Sequence, residues 1–411
     1  MWRGLAYLFQ DDLPHGAMLL GVTLSSDKTN ISVMSGNHIA HLLLISLANI
    51  DPSVHSKGSL HSHLLLALLP VSSFILKNSQ VRGLLSDRLF HHCLDIVLRP
   101  LKAAAAIGVM MSDPVSNLHY CYTPLVAYTA DTPEQSLVSG MSTRASPIST
   151  AFHGQFGDNV LHPRCTADQT RNEICTICLE CDPNDFIKFL KLAKAYGLNG
   201  VDIPFWIDWP LLDPAYFLKP EVLHHLHRFF FDHDLEWCIA IIGGDEIDYR
   251  FTLIRTLVGY RGFKEGVSKL KQVTGRDHRV MQQYIVAIIA GTVPPRFLTA
   301  IHALIDFRYL AQMPSFDEHT LQELDSALQS FHDHKDSIIT AGVCEHFRIP
   351  KLELLQHVVP SIRDSGAVMQ WSADVTEHTH VTEVKNPARA GNNQNYHSQI
   401  AHHLDRTDKC F

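Results

Sequence analysis

Three acidic residues that lie far apart in the sequence could together bind divalent metal ions. Asp27 interrupts an apolar, β-branched stretch, GVTLSSDKTNIS, Asp113 ends the short apolar run AIGVMMSD, and Glu377 belongs to the polar stretch TEHTHVTEVK. Carboxylate oxygens suit Mg²⁺ and Mn²⁺, and two such ions can hold the attacking and leaving oxygens of a phosphodiester. Each acid alone is more often a turn or surface carboxylate, so the prediction depends on the elements that position the three.

His380 follows Glu377 by three residues and would share its face if this stretch is helical. Lys385 and Arg389 lie just downstream and could contact phosphate, although two charges do not make a basic patch. A solvated polar segment is the alternative interpretation.

Two histidines, His224 and His227, are also three residues apart, in EVLHHLHRFF. On an α-helix this spacing suits a shared metal or a polar contact with the rest of the fold. The half-buried face of an amphipathic helix is the more common reason for such a pair.

Cys175 and Cys178 form a Cys-x-x-Cys pair in CTICLEC, and Cys181 repeats the spacing. A structural zinc ion needs four ligands, and Cys165, His153 or His162 could complete the set. Free cysteines in or near a core are the alternative, and they are at least as common as a Zn²⁺ site for such a spacing.

The elements around the first two acids are predicted to be three strands, a helix and a fourth strand. The strands are residues 18–34, 38–50 and 61–70, the helix runs from Val81 to about Ala105 and is kinked or ended by Pro100, and the fourth strand ends at Asp113. This order would bring Asp27 and Asp113 near one sheet. Residues 135–182 read as loop-rich, and residues 182–341 as mainly helical.

Composition excludes several classes of protein. The 411 residues carry a net charge of −8 with no basic stripe, unlike a simple polybasic nucleic-acid binder. The nine cysteines show no disulfide-like spacing, which favours a reducing compartment. No secretory signal is apparent, and no apolar run reaches the roughly 20 residues that span a bilayer. We expect no membrane association.

The chain resembles the Plavaka group of transposases, which belongs to the Kyakuja-Dileera-Zisupton superfamily of fungal DNA transposons. The resemblance runs from about Gly21 to Cys410, and the number and order of the matching stretches make it specific. Those stretches are SDKTNIS, HSHLLLALLP, SDPVSNLHYCYTPLVAYTADTPEQ, PFWIDWP, LHHLHRFFFDHDLEWC, GFKEGVSKLKQVTGRDHRVMQ, IPKLELLQHVVPSIR and TEHTHVTEVKNPARAGNNQNY.

The resemblance implies an α/β fold, an RNase H-like mixed sheet with flanking helices that a large, mainly α-helical insertion interrupts. It divides the chain into residues 1–134 as the first part of the core, 135–182 as a loop-rich segment containing cysteines, 183–345 as the insertion, and 346–411 as the last part of the core with a polar tail. The family's paired histidines fall on His224 and His227. A cysteine-rich element expected after DTPEQ is replaced by SLVSGMSTRASPIST.

The resemblance also implies a DDE-type transposase that cleaves DNA and transfers strands at transposon ends with Mg²⁺ or Mn²⁺. Asp27, Asp113 and Glu377 would hold the metal, and His380 would orient a ligand or the scissile phosphate. DNA is the expected partner, the nucleus is the expected location, and a homo-oligomer is compatible with this function. Lys28, Lys385 and Arg389 are the nearby cations.

Two other functions remain open. The start at MWRGLAYLFQDD and the end at DKCF suggest a truncated copy, so the first alternative is a degenerate or co-opted transposase that binds DNA or protein without catalysis. The second is a zinc-stabilised helical interaction domain centred on residues 150–340.

Overall fold

The computed structural model describes residues 13–32, 38–55, 57–210, 212–255, 262–271, 273–392 and 394–409. The two ends at which truncation is predicted, residues 1–12 and 410–411, lie outside the described residues, and the truncation stays a prediction. The chain forms two compact units. Unit 1 comprises residues 1–152, 162–219 and 370–411, and unit 2 comprises residues 153–161 and 220–369. The predicted four-segment division stays a prediction.

Seven strands, all in unit 1, form two sheets among the described residues. A four-stranded sheet has the order β4-β3-β2-β7, with β2 antiparallel to β3, β3 antiparallel to β4, and β2 parallel to β7. A three-stranded sheet has the order β1-β6-β5. The strands are β1 Met18–Leu19, β2 Val22–Ser32, β3 His38–Leu47, β4 Leu64–Leu69, β5 Val109–Ser112, β6 Leu118–Tyr122 and β7 Leu125–Thr129.

The central strand β2 places alternate side chains on opposite faces of its sheet. Asp27 is paired in register with Leu42 of β3, and Leu42 packs with Val384 and Ile400 from the C-terminal helices. Ser26 points to the other face, where its hydroxyl bonds Glu134. The predicted strands around Asp27 are therefore confirmed, and Asp27 lies on the face that the C-terminal helices cover.

A long helix follows the first four strands and connects them to the rest of unit 1. It spans Ser79–Ile107, and the side chain of Asn78 caps its first turn by accepting from the backbone N–H groups of Gln80 and Val81. The helix predicted from Val81 to about Ala105 is confirmed, and Pro100 lies inside it without ending it. Pro100 is exposed, so the helix loses one hydrogen bond on its solvent side and continues.

The fourth predicted strand does not join the sheet of Asp27. It is β5, which pairs with β6 in the three-stranded sheet, and all four of its residues are exposed rather than buried. The strand that lies beside β2 is β7, the third apolar run after the long helix. The expectation that Asp27 and Asp113 lie near one sheet was therefore wrong, because β5 turns back on β6.

The segment 135–182 contains a regular helix, Ala167–Glu180, which the loop-rich interpretation missed. Its buried residues are Ala167, Thr170, Ile174 and Ile177, spaced three and four residues apart as a helix requires. Two of these four are small or polar, so the apolar periodicity is faint in the sequence. The helix therefore presents a buried face without an obvious hydrophobic stripe.

Helices form the remaining structure of both units. In order, with π-helical segments marked, they are α1 Pro52–His55, α2 Ser79–Ile107, α3 Thr132–Ser139, α4 Ala167–Glu180, α5 Phe186–Ala195, α6 Pro214–Phe217, π Val222–His227, π Phe230–Asp234, α7 Leu235–Ile242, α8 Gly244–Thr252, α9 Gly275–Ile289, α10 Pro295–Ala311, α11 Glu318–His334, α12 Asp336–Thr340, α13 Pro350–Leu355, α14 Val358–Ser365, α15 Ala373–Thr379, π His380–Lys385, α16 Asn386–Arg389 and α17 Tyr396–Asp408. Short 3₁₀ turns cover Gly58–Leu60, His153–Gln155 and Val368–Trp371.

Candidate metal centre

Two elements from distant parts of the chain bring candidate ligands together. Asp27 lies on β2 and faces the C-terminal helices. Glu377 lies on α15, and His380 begins the π-helical segment that follows it directly. Helix α15 starts at a cap in which Ser372 accepts from the backbone N–H of Asp374, and Trp371 just before it accepts a hydrogen bond from Thr129 of β7. These contacts fix α15 against the sheet.

Asp27, Glu377 and His380 form a compact cluster, with one ligand atom of each within 4.8 Å of the others. Nδ1 of His380 lies 3.7 Å from Oδ2 of Asp27 and 3.5 Å from Oε2 of Glu377. The His380 side chain is 2 % exposed, and the two carboxylates are 38 % and 39 % exposed. Within the described residues this is the one group of three or more such ligands.

The surroundings of His380 fit a bound cation. Among the described residues, neither of its ring nitrogens has a hydrogen-bond partner, although both are buried. A buried polar group without a partner costs about 1–3 kcal/mol, and a metal ion would satisfy it. Ligands at about 2.1 Å from one Mg²⁺ stand roughly 3–4 Å apart, close to the spacing found here. The two carboxylates suit Mg²⁺ or Mn²⁺, whereas an imidazole is more typical of Zn²⁺, Fe²⁺, Cu²⁺ or Ni²⁺, so the donor set does not specify the metal.

Asp113 does not belong to this cluster. It lies in the turn between β5 and β6, where its carboxylate accepts from the backbone N–H groups of Val115 at 3.0 Å and Asn117 at 2.8 Å. The side-chain amide of Asn117 donates at 2.9 Å, and His119 lies 3.2 Å away. The bonds from Asn117, aided by His119, lower the pKa of Asp113 to about 2. The Asp113 carboxylate therefore stabilises the turn between β5 and β6.

Asp131 is an acid that the sequence-based prediction did not include, and it lies outside the group formed by Asp27, Glu377 and His380. β2 and β7 run parallel with Ser25 in register with Thr129, so Asp27 and Asp131 each follow a paired residue by two positions. Asp131 is extended, half-buried, and caps α3 through a hydrogen bond from Glu134 N to its Oδ1 at 2.8 Å. The signal was available in LVAYTADTPE, an apolar strand followed by an Asp-x-Pro-Glu helix start.

A family model of the Plavaka transposases matches residues 1–238. The chain belongs to the Plavaka transposase family. The matched part contains β2 with Asp27 and β7 with the following Asp131, and it ends before Glu377 and His380. Beyond residue 238 the predicted resemblance stays a prediction. No curated protein matches the chain.

The two histidines of the predicted pair in this Plavaka transposase have different partners. His224 lies 2.9 Å from Glu221, while His227 is buried between the guanidinium of Arg279 and the amide of Gln282, each at 3.1 Å. Burial and the nearby Arg279 lower the pKa of His227 to about 3. Residues Val222–His227 form a π-helix, whose wider turn places residues three apart on different faces. The pair's predicted metal role stays untested.

The cysteine pair of the transposase lies on α4, where Cys175 and Cys178 are both exposed. Cys181 ends that helix and is buried. Across the part of the chain that the structure describes, no group of three candidate ligand atoms includes them. A zinc ion at this position stays a prediction.

The predicted phosphate-binding cations of the transposase differ in exposure. Lys28, next to Asp27 on β2, and Arg389 are exposed, and Lys385 is half-buried. None of the helices in the described residues has the length and apolar character of a membrane span.

Proposed function

We propose that this chain is the catalytic core of a DDE-type transposase that cleaves DNA and transfers strands at transposon ends. The observation that carries the proposal is the buried, unbonded imidazole of His380 facing the carboxylates of Asp27 and Glu377. A divalent ion held there would polarise a phosphodiester and activate water or a DNA 3′ hydroxyl for in-line attack. DNA is then the substrate, and the nucleus is the compartment in which the protein works.

The sheet supports an RNase H-like core. Three antiparallel strands, β2, β3 and β4, are followed by α2 and by β7, which lies parallel to β2 on its other side. This arrangement puts the first acid on the central strand and a second acid, Asp131, just past the adjacent parallel strand. We therefore propose Asp131 as the second carboxylate, in the role that the family resemblance assigned to Asp113.

The side chains of the cluster have separate roles in this proposal. Asp27 and Glu377 supply negative charge to the cation and remain accessible to a DNA backbone, since each is more than one third exposed. His380 is held rigid by burial and fixes the third ligand position. Arg389 is exposed and offers positive charge to phosphates, whereas the side chain of Lys28 lies on the opposite face of β2 from Asp27, with Glu134 and Asp87.

The test is metal-dependent cleavage and strand transfer on duplex DNA carrying the terminal repeats of the parent transposon. We expect the wild-type chain to nick this DNA with Mg²⁺ or Mn²⁺ and Asp27→Asn to abolish nicking. Asp168→Asn is the control, because Asp168 is an exposed carboxylate of unit 1 paired with Arg171 on α4. A folded wild-type chain that binds this DNA but never cuts it would identify a degenerate transposase instead.

A further inference from the structure

A buried polar network lies on the face of β2 opposite to Asp27. Ser26 donates to Oε1 of Glu134 at 2.6 Å, and the hydroxyl of Tyr128 on β7 donates to Ser26 at 2.9 Å. Nε2 of His41 on β3 lies 2.7 Å from the same Glu134 oxygen. These four residues are at most 8 % exposed. Three strands of the sheet are thereby connected to one carboxylate of α3.

The network has little freedom to rearrange. A buried carboxylate is costly unless hydrogen bonds satisfy it, so loss of Ser26 or His41 as a partner would expose that cost. His41 is itself fixed by stacking on Phe90 of α2, with ring centroids 5.2 Å apart and planes 12° apart. Glu134 is thus held from both the sheet and the long helix.

Glu134 connects the two acids that we assign to the metal site. Its side chain reaches Ser26, the residue directly before Asp27. Its backbone N–H donates to Oδ1 of Asp131 at 2.8 Å. The first turn of α3 is therefore connected to β2 through Glu134, while Gln135 holds the same turn by donating to the carbonyls of Ala130 and Lys219.

We propose that Glu134, clamped by Ser26 and His41, is a positioning residue that sets Asp131 against Asp27 for metal binding. The inference rests on the proposed function. The backbone hydrogen bonds that pair β2 with β3 and β7 do not involve these side chains, so the sheet forms without the network. Without the network, the first turn of α3 loses its fixed position. That turn begins at Asp131, which takes no part in the backbone hydrogen bonds of the sheet. The Glu134 carboxylate itself touches neither metal nor DNA.

The test measures Mn²⁺ affinity by electron paramagnetic resonance on the full chain, alongside circular dichroism and thermal melting. We expect Glu134→Ala and Ser26→Ala to weaken Mn²⁺ binding by roughly 10- to 100-fold, as loss of groups that orient metal ligands does elsewhere. Glu134→Gln keeps an oxygen that accepts from Ser26 and His41, so it should bind Mn²⁺ nearly as the wild type does. This rescue separates a positional role from a role of the charge.

Ser46→Ala is the matched control, since Ser46 is a buried serine of the neighbouring strand whose hydroxyl donates to the carbonyl of Ser62 at 2.6 Å, outside the network. It should change thermal stability without changing Mn²⁺ affinity. If Glu134→Ala fails to fold, Ser26→Ala decides. Unchanged Mn²⁺ affinity in a folded Ser26→Ala variant overturns the positioning role alone, provided that Asp27→Asn lowers the affinity. A wild type that binds no Mn²⁺ overturns the proposed function and this inference with it.

Discussion

Nδ1 of His380 lies 3.7 Å from Oδ2 of Asp27, which joins the π-helical turn after α15 to the central strand of the sheet. The imidazole is 2 % exposed and the carboxylate 38 % exposed, so the pair has one buried and one accessible side. A π-helical segment inserts extra backbone into a helix and is frequent at functional sites. Here the π-helical segment lies where the end of α15 meets the sheet.

Replacement of His380 by phenylalanine should weaken Mn²⁺ binding with little loss of folded structure. Phenylalanine keeps a buried ring of similar shape and removes the nitrogen that faces Asp27 and Glu377. We expect an affinity at least about tenfold lower, comparable to loss of a metal-orienting group, measured by Mn²⁺ titration. His378→Phe is the control, because His378 lies on the same helix and is exposed. Equal affinities of the two variants would remove His380 from the site.

Asp131→Asn and Asp113→Asn should have opposite effects. Asparagine caps helices as well as aspartate, so Asp131→Asn keeps the start of α3 and loses only a charged metal ligand. We expect it to abolish DNA cleavage and lower metal affinity. Asp113→Asn should weaken the β5–β6 turn, seen as a lower melting temperature, and leave cleavage intact. The reverse pattern would return Asp113 to the catalytic set.

Removal of Arg308 should destabilise unit 2 strongly. Arg308 and Asp234 are fully buried and paired, and Nε of Arg308 donates to the carbonyl of Leu226 at 3.1 Å. Burial raises the pKa of Asp234 to about 6 even beside the guanidinium. Arg308→Met leaves this carboxyl group without its partner, and we expect a loss of about 3–5 kcal/mol in unfolding free energy, measured by urea denaturation.

A double variant distinguishes the contribution of the Arg308–Asp234 ion pair from that of the packing around it. Arg308→Met combined with Asp234→Leu removes both charges and should recover much of the lost stability. Arg363→Met is the surface control, because Arg363 pairs with Glu318 at 2.6 Å in an exposed position, and such pairs contribute about 1 kcal/mol or less. A loss at Arg308 no larger than at Arg363 would contradict the prediction.

Acidification should destabilise unit 2 through His278. Burial, together with Arg228, lowers the pKa of this histidine to about 4, although Asp232 and Asp277 oppose the shift. Its ring stacks on Phe231 at 5.0 Å, and within the described residues neither nitrogen has a hydrogen-bond partner. Between pH 6.5 and 4 the unfolded chain binds a proton that the folded chain does not, so the stability contributed by this group falls as pH falls.

The slope is about 1.4 kcal/mol for each pH unit within that window. His278→Phe should therefore reduce the difference in urea stability between pH 6.5 and pH 5 by about 2 kcal/mol. His302→Phe is the control, since His302 lies on the exposed side of α10. If the pH dependence of the His278 variant matches that of the wild type, the buried neutral state of His278 is wrong.

Most of the secondary structure in the first half of unit 1 could be predicted from the sequence. The alternation and β-branching around Asp27 predicted β2, and the apolar runs that follow predicted β3 and β4. The helical spacing after Val81 predicted α2, whose end Pro100 did not determine. Each of these elements buries one face, so apolar residues recur along it at the spacing of a strand or a helix. Such a pattern can be recognised from neighbouring residues in the sequence.

The choice of the second acid was not readable in the same way. Three apolar runs follow α2, and each could be the strand that returns to β2. Only the fold decides that Val109–Ser112 pairs with Leu118–Tyr122 as an exposed hairpin and that Leu125–Thr129 takes the place beside β2. The pairing of strands is a long-range property, so the sequence pointed to Asp113, whereas Asp131 is the acid that follows the strand beside β2.

The convergence of Glu377 and His380 was predicted from their spacing alone, and it occurs because α15 passes directly into the π-helical segment. His224 and His227 have the same spacing but lie within a π-helical segment and contact different partners, so their predicted metal role stays a prediction. Spacing predicts a shared face only when the turn has about 3.6 residues, and no sequence signal marked the wider turn.

The C-terminal helices have a consequence for synthesis of the protein on the ribosome. Asp27 and its sheet emerge early, yet the face that carries Leu42 is covered only by Val384, Ala388 and Ile400, and Glu377 and His380 arrive with them. A nascent chain therefore exposes an apolar sheet face and carries an incomplete ligand set until residues 377–400 have been synthesised. Under the proposed function, DNA cleavage requires these C-terminal residues to be folded onto the sheet.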